Sequence, residues 1–586
     1  MKEKFRQFIE EVQRIRRGIQ NLRFFKLAYL GRFFKAFSRK EKLAVLLLIA
    51  IFVADLAVLA GRYYVSHTVP VAAFGSDYTE GEVGTPRFIN PLLAQTQTDK
   101  DLTTLVYAGL YKLDGNAQLI PDLADGLPQI SPDQKDYTIK LKPNLKWSDG
   151  TALTADDVIF TIDTLQNPDY KSPERKLWLN VTADKVNDLT VSIKNKIVAA
   201  PFLANLTLGI LPKHLWANIT PDQFLLTKLN LQPVGSGPYF AKEIDNSAGG
   251  SLQSITFESY SNYWQSKPYI DHIKINFYGS YQDALLALHS KEIQGFGFVP
   301  FDQKIFVDPK TSLQIQKLPV FEYQALFFNL DKSHNILGDP AVRQALAQST
   351  DRGQIVDQVY AGLALPAYGP IMPGQLGYNP DIEKINAFNL DSAKQILDQA
   401  GWTADPQTGM RTKNKTPLQF SITTTDFSLN QKTAELLRDQ WKKIGADVAV
   451  NIVPTADLES KYIRPRNFDS LLFAVNPNLD PDPFVFWHSS QAKDPGLNIA
   501  QYKNAAADKL ISDAHNTFDS KERTADYQQF QTIVANDVPA IFLDQSMFVY
   551  EMTPEVKGIQ LGTLANPENR FYDIVHWYIQ TKRVFK

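Results

Sequence analysis

Leu43 to Ala60 reads LAVLLLIAIFVADLAVLA, eighteen positions interrupted by one charge, Asp55. As a helix rising about 1.5 Å per residue it covers about 27 Å, close to the hydrocarbon thickness of a bilayer. A centred Asp costs roughly 2.5–3.5 kcal/mol on insertion, less nearer the interface, and the surrounding Leu, Ile, Val and Phe offset it. Ahead of this run the pattern changes to helical spacing, with apolar side chains at Phe5, Phe8, Ile9, Val12, Ile15, Ile19 and Leu22 and Arg or Lys between them. That basic amphipathic segment suits a helix on an anionic inner leaflet and equally a stub that only sets topology.

Beyond residue 78 the pattern is that of a folded body. Asp136–Lys142 alternates polar and apolar, as a half-buried strand does, and so does Leu189–Lys194. Thr154 and Asp157 frame a capping box ahead of Val158-Ile159-Phe160. Val234-Gly-Ser-Gly-Pro-Tyr239 is a tight turn entering strands that run through Phe257 and Ile273–Phe277. The second half alternates helix and strand. Asp339-Pro340 opens one helix, Asp391–Ala400 is another, and Thr433–Ile444 is closed by Gly445 before a strand at Asp447–Ile452. A helix at Asp526–Asp537 leads into the apolar run Pro539–Leu543, fit for a buried strand.

Charge orients this arrangement. Residues 1–42 hold thirteen Lys or Arg and four Glu, a net +9, so the total of −2 leaves −11 for the rest. The positive-inside bias keeps the N-terminus in the cytoplasm and sends residues 62–586 outside. An uncleaved anchor at 43–61 is expected, because forty-two residues are too long for an ordinary signal-peptide n-region. The acidic exported part argues against a nucleic-acid partner. With no cysteine in the chain there are no disulfides, thiolate metal sites or thiol nucleophiles. A chain of 586 residues, 44% hydrophobic, buries more than one core.

Several motifs stand in a familiar order: Leu145-Lys-Trp-Ser-Asp-Gly-Thr151 with the Thr154–Asp157 box, Pro233–Tyr239, Asn262-Tyr-Trp264, and Phe328-Asn-Leu330. Asp339–Leu346, Ala361-Gly362, Pro366–Pro370 and Ile533–Ile541 follow. Together they resemble the substrate-binding proteins of ABC importers for oligopeptides, dipeptides and nickel, the extracellular solute-binding proteins of family 5, over roughly 75–586. The resemblance implies an α/β, two-lobed type II periplasmic-binding-protein (Venus-flytrap) fold with an extra subdomain, preceded here by one transmembrane helix. The implied layout is a cytoplasmic segment 1–42, an anchor 43–61 and a linker 62–78. Lobe 1 follows at 79–325, with 116–232 added, then lobe 2 at 326–544, and 545–586 returns to lobe 1. Strands near Glu322–Asn329 and Phe542–Phe548 would cross between the lobes. The implied partners are a peptide-like ligand and ABC permease subunits, with the protein itself a monomer.

Three stretches suit the capture of an extended peptide through its main chain. In Thr79–Gly84 the glycines admit another backbone, and the resemblance places Glu82 and Val83 beside ligand. The second is Phe473-Ala474-Val475-Asn476-Pro477-Asn478-Leu479-Asp480-Pro481-Asp482. Peptide-binding relatives carry a Trp near the place of Val475 and an Asp near Pro477 or Asn478. An Asn accepts a hydrogen bond from an ammonium without neutralising it, so Asp480 or Asp482 would have to substitute. The third is aromatic: Trp264, Tyr323, Phe327, Trp487 and Tyr502 flank the cleft in this family. Catalytic and metal signatures are weak. The eight His show no H-E-x-x-H spacing, and of them only His488 falls near the expected cleft. Gly235-Ser236-Gly237 is not a nucleophile elbow, because Pro238 breaks the helix that should follow. No phosphate-binding loop or EF-hand spacing is present, and neither an enzyme, a cofactor nor a metal is expected.

Overall fold

The computed structural model describes residues 37–298, 312–331, 336–477 and 479–586. Most of the basic amphipathic segment, residues 1–36, lies outside the described residues, as does Asn478. Ser38 caps the first described helix, Arg39–His67: the Glu41 carboxylate accepts from Ser38 N at 2.7 Å. None of the helix is buried, and by length and composition it is apolar enough to cross a membrane. It runs about a turn past the expected 43–61 at either end, since Arg62–His67 contains neither Pro nor Gly. The expected linker 62–78 is therefore structured. Helix continues to His67, Thr68–Ala72 is a strand paired antiparallel with Thr581–Phe585, and a further strand begins at Asp77. Residues 68–72 and 581–586 group with the helix, and Ala73–Gln580 forms a separate body.

That body is a two-lobed type II binding-protein fold built on one eleven-stranded sheet. From one edge the strands are Asp447–Val453, Gln419–Thr425, Ser470–Val475, Gln314–Phe328, Ala540–Met552, Gly295–Phe298, Asp77–Val83, His272–Tyr278, Leu252–Ser259 and Tyr239–Asn246; Ala364–Pro366 joins beside Ala540–Met552. The two longest lie side by side in the middle of the sheet. Gln314–Phe328 pairs antiparallel with Ala540–Met552, and the register slips between Pro319 and Tyr323 and again between Gln324 and Ala325. Pro319 has no N–H to give to a ladder, so the slip falls where pairing is already interrupted. On one side of it Ala540–Met552 pairs with Gly295–Phe298, and on the other Gln314–Phe328 pairs with Ser470–Val475.

Local signals set the helices. The Asp157 carboxylate accepts from Thr154 N at 2.8 Å ahead of Ala155–Gln166. Asp339 Oδ1 accepts from Ala341 N at 3.0 Å, with Pro340 in the first helical position of Pro340–Gln348. Ser428–Lys442 ends before Gly445, whose φ of +86° favours glycine. Separate cores fill the two halves, one around Leu102, Trp147, Trp216 and Trp577, the other around Leu346, Leu437 and Trp441. A smaller four-stranded sheet, Gln129–Ile130, Asp136–Lys140, Thr190–Asn195 and Val181–Asn187, stands apart from the large one.

Candidate functional site

The Gly/Pro turn at 234–239 has a structural purpose. Helix Gln97–Val106 ends against it: Gly237 N donates to Val106 O at 2.7 Å, and Ser236 Oγ accepts from Ala108 N at 3.3 Å. A Cβ on Gly235 would lie 1.9 Å from Val106 O, so only glycine permits this approach. The turn thereby holds the helix end and the segment after it, 107–113, which forms part of a cleft wall.

The cleft has a volume of about 840 Å³. One wall comes from residues 91–122 and 174–209, another from 476–497 with His515, and a third from 565–575. Segments in and beside these walls are hydrogen-bonded to one another. Ala200 N donates to His515 O at 3.1 Å, Phe518 N to Gln134 Oε1 at 3.2 Å, and Asn476 Nδ2 to Asn566 Oδ1 at 3.0 Å.

Its lining mixes charge of both signs: Lys100, Lys112 and Lys176 against Asp122, Glu174, Asp480, Asp482 and Glu568. Burial raises the Asp122 carboxyl from its ordinary range, opposed by Lys112, by the Trp264 N–H at 2.9 Å and by Lys142. Burial likewise raises Glu174 and Glu568, with Lys100 opposing both. On the facing wall Arg523 Nη2 donates to both oxygens of Asp480, at 2.8 and 2.7 Å. Burial still pushes the Asp480 carboxyl up, with the Arg523 charge and hydrogen bonds opposing. Asp482 Oδ1 lies within hydrogen-bond distance of His515 Nδ1, at 3.0 Å. Among the described residues no group of three or more His, Asp or Glu is arranged to hold a metal ion.

Of the residues expected to touch ligand, Asn476, Asp480 and Asp482 line this cleft. Ala474 is exposed and Phe473 half-buried at the edge of the core around Phe327, Trp487 and Phe542. Four others lie away from it. Tyr323, Val475 and Trp487 are buried and do not line the cleft. Trp487 packs against Phe327, Phe542 and Tyr502 at centroid distances of 5.9, 5.7 and 6.4 Å, and Tyr323 meets Phe542 at 5.3 Å. These rings fill the core where the crossing strands pass. Glu82 is also enclosed, its carboxylate 2.8 Å from Arg570 Nη2. Arg570 further reaches Glu80 and Asp101, each at 2.8 Å, and Tyr78 and Tyr550 donate to Glu80 at 2.6 Å. Burial and the neighbouring Asp101 carboxylate push Glu82 well up, against the pull of Arg570.

Gly81, read as an opening for another backbone, is filled instead by Ile293 and Tyr278. Val83 is half-buried, its carbonyl accepting from Thr98 Oγ1 at 3.3 Å. Trp264 is half-buried under Lys142, whose Nζ stands 4.0 Å from the ring centroid; its neighbour Tyr263 is the one that lines the cleft. His488 stacks on Phe484 at 4.3 Å, and the histidine that reaches the cleft is His515. Lys100, Lys112, Asn566 and Glu568 were not singled out by the sequence. They reach the site only through folding of distant segments, and Asn566-Pro567 opening a short helical turn was the one local signal.

Known proteins resemble this chain along most of its length. A family model described as bacterial extracellular solute-binding proteins, family 5, matches residues 118–496. The oligopeptide-binding protein AppA of Bacillus subtilis (strain 168) is 29% identical over 515 residues, 86% of this chain and 92% of its own. Its structure in complex with a nonapeptide superposes with a TM-score of 0.66, covering 87% of this chain and all of that one. The dipeptide-binding protein of Escherichia coli (strain K12) is 26% identical over 86% of this chain and 96% of its own. NikZ from Campylobacter jejuni, solved in complex with Ni(L-His), is 26% identical with a TM-score of 0.65, covering 86% and 99%. With the cleft and the crossing strands in place, the chain belongs to the family 5 bacterial extracellular solute-binding proteins.

Proposed function

We propose that this protein is a membrane-anchored extracellular receptor of an ABC importer, capturing peptide-like solutes in the cleft and presenting them to a permease. The observation that carries the reading is the 840 Å³ cleft with walls drawn from both sides of the crossing strands. That volume lies within the roughly 300–1,000 Å³ typical of ligand pockets. The likeness to an oligopeptide-binding protein over 86% of the chain supports a peptide. Lobe 1 is 79–325 with 116–232 added, lobe 2 is 326–544, and 545–580 returns to lobe 1. Ligand binds between them and favours the closed arrangement by its greater affinity for it. Asn476, Asp480 and Asp482 contact ligand, with Ala474 supplying backbone groups. The protein acts as a monomer and catalyses no reaction. The helix Arg39–His67 holds it at the cell membrane with its N-terminus cytoplasmic, which keeps the receptor at high effective concentration near its permease.

Mass spectrometry of ligand retained through purification, followed by a thermal-shift screen with peptides, tests this. Peptides are expected in the first and a raised melting temperature in the second. Failure of every peptide of two to ten residues to raise it would overturn the peptide assignment. A second reading, a metal chelate, is favoured by the Ni(L-His) relative together with His515 and Asp482 in the cleft. It predicts stabilisation by nickel with free histidine and none by peptides.

A further inference from the structure

The last turn of a helix leaves four carbonyls without intrahelical partners. At the end of Arg39–His67 two of these, Val65 O and His67 O, are met by Arg583 and Lys586 of the C-terminal segment, whose strand Thr581–Phe585 pairs with Thr68–Ala72. Arg583 donates through Nη2 to Val65 O and Thr68 O, both at 2.9 Å, and through Nε to Thr68 Oγ1 at 2.8 Å. Lys586 N donates to His67 O at 2.9 Å, and Thr68 Oγ1 to Tyr64 O at 2.5 Å. The Arg583 charge also stands where the helix dipole is negative.

Depth follows from the same geometry. Twenty residues from Leu43 fill about 30 Å of hydrocarbon, and the five remaining to His67 add about 7.5 Å, roughly one headgroup layer. A two-stranded ribbon has open edges, and open edges do not occur in hydrocarbon. The boundary between helix and ribbon therefore falls at the outer headgroups. Tyr63, Tyr64 and Phe585 are 60%, 44% and 69% exposed there, and the Phe585 ring meets Tyr64 edge-on at 6.1 Å. Arg62, Lys582, Arg583 and Lys586 are exposed around them. Aromatic rings interleaved with cations are the composition that settles at an anionic interface.

We propose that the helix exit and the strand Thr581–Phe585 form one interfacial clasp seated on anionic headgroups of the outer leaflet. The membrane then holds the chain both before Ala73 and after Gln580. This rests on the anchor reading above. The absence of native cysteine allows single-site labelling of the full chain at Val584→Cys or Ile51→Cys. Each protein is placed in vesicles of phosphatidylcholine with or without phosphatidylglycerol, with nitroxides on the headgroup or at the acyl-chain end. The Val584 label is expected to be quenched from the headgroup, more strongly with phosphatidylglycerol, and the Ile51 label from the chain end. Adding Arg583→Ala to Val584→Cys should abolish the headgroup quenching while the receptor body melts as before. Quenching at Ile51 with none at Val584, or quenching at Val584 unaffected by Arg583→Ala, would overturn the clasp. No quenching at either site would overturn the anchor as well.

Discussion

Arg570 and Arg523 each bind carboxylate in a little-exposed place, and they do so in opposite settings. Arg570 and its partners Glu80, Glu82 and Asp101 have side chains between 0 and 9% exposed. Arg523 and Asp480 are 8 and 15% exposed, and Asp482 and His515 beside them are 15 and 18% exposed on the cleft wall. The first set is saturated. Burial works against the Arg570 charge, Asp101, Glu80 and Glu82 outweigh it, and its protonated form is held well beyond the ordinary range. The second set keeps one face toward the cleft, where a ligand's cation can share Asp480 with Arg523. The lesson is that an acidic residue near a binding cleft serves architecture or recognition according to how completely protein groups already satisfy it.

The comparison breaks most readily at Arg570. Removing one partner of a buried ion cluster typically costs about 3–5 kcal/mol, so Arg570→Met should lower stability by that order in chemical denaturation. A loss below about 1 kcal/mol would mean the cluster is not a closed unit. Glu551 supplies a buried carboxyl that meets no cation among the described residues: both oxygens lack a hydrogen-bond partner there, and burial pushes its pKa up to about 7. An acid raised on folding disfavours the folded state as pH climbs from its unfolded pKa of about 4.3 to about 7. Glu551→Gln should therefore stabilise the protein above pH 7, by up to about 3.7 kcal/mol, and change little below pH 4. Equal melting curves for the two proteins across that range would show that Glu551 is not confined.

Asp480→Asn sharpens the contrast. A hydrogen bond to a charged group contributes about 1.5–3 kcal/mol, so stability should fall within that range while peptide affinity falls at least about tenfold by titration calorimetry. Unchanged affinity would assign Asp480 to architecture, like Glu82. The smallest effect belongs to His515→Gln, expected to shift stability by less than about 1 kcal/mol, as for partly exposed ion pairs.

Much of the fold was legible because its signals are local. The Thr154/Asp157 box, the Asp339-Pro340 start, Gly445 after its helix and the apolar run after Pro539 each act through neighbours in sequence, and each marks an observed element. The family resemblance placed crossing strands near Glu322–Asn329 and Phe542–Phe548, and the strands Gln314–Phe328 and Ala540–Met552 run through those stretches. The site was less so. Tyr323, Val475 and Trp487 stand beside the cleft in sequence, yet their side chains go to the core, because alternate residues of a strand face opposite ways and large rings fill space where two lobes join. Arg570 and Glu568 come from a segment that returns after hundreds of residues, and nothing local marks which acid each cation will meet. The pairing of Thr581–Phe585 with Thr68–Ala72 is a contact of the same long-range kind.

The central claim is that the two lobes shut over a bound solute. The chain's lack of cysteine allows spin labels at Leu177→Cys and Leu497→Cys, exposed positions on facing walls of the cleft, and a pulsed dipolar measurement of the distance between them. A shorter, narrower distance distribution is expected once a stabilising peptide is added. An identical distribution with and without every ligand that raises the melting temperature would contradict the account.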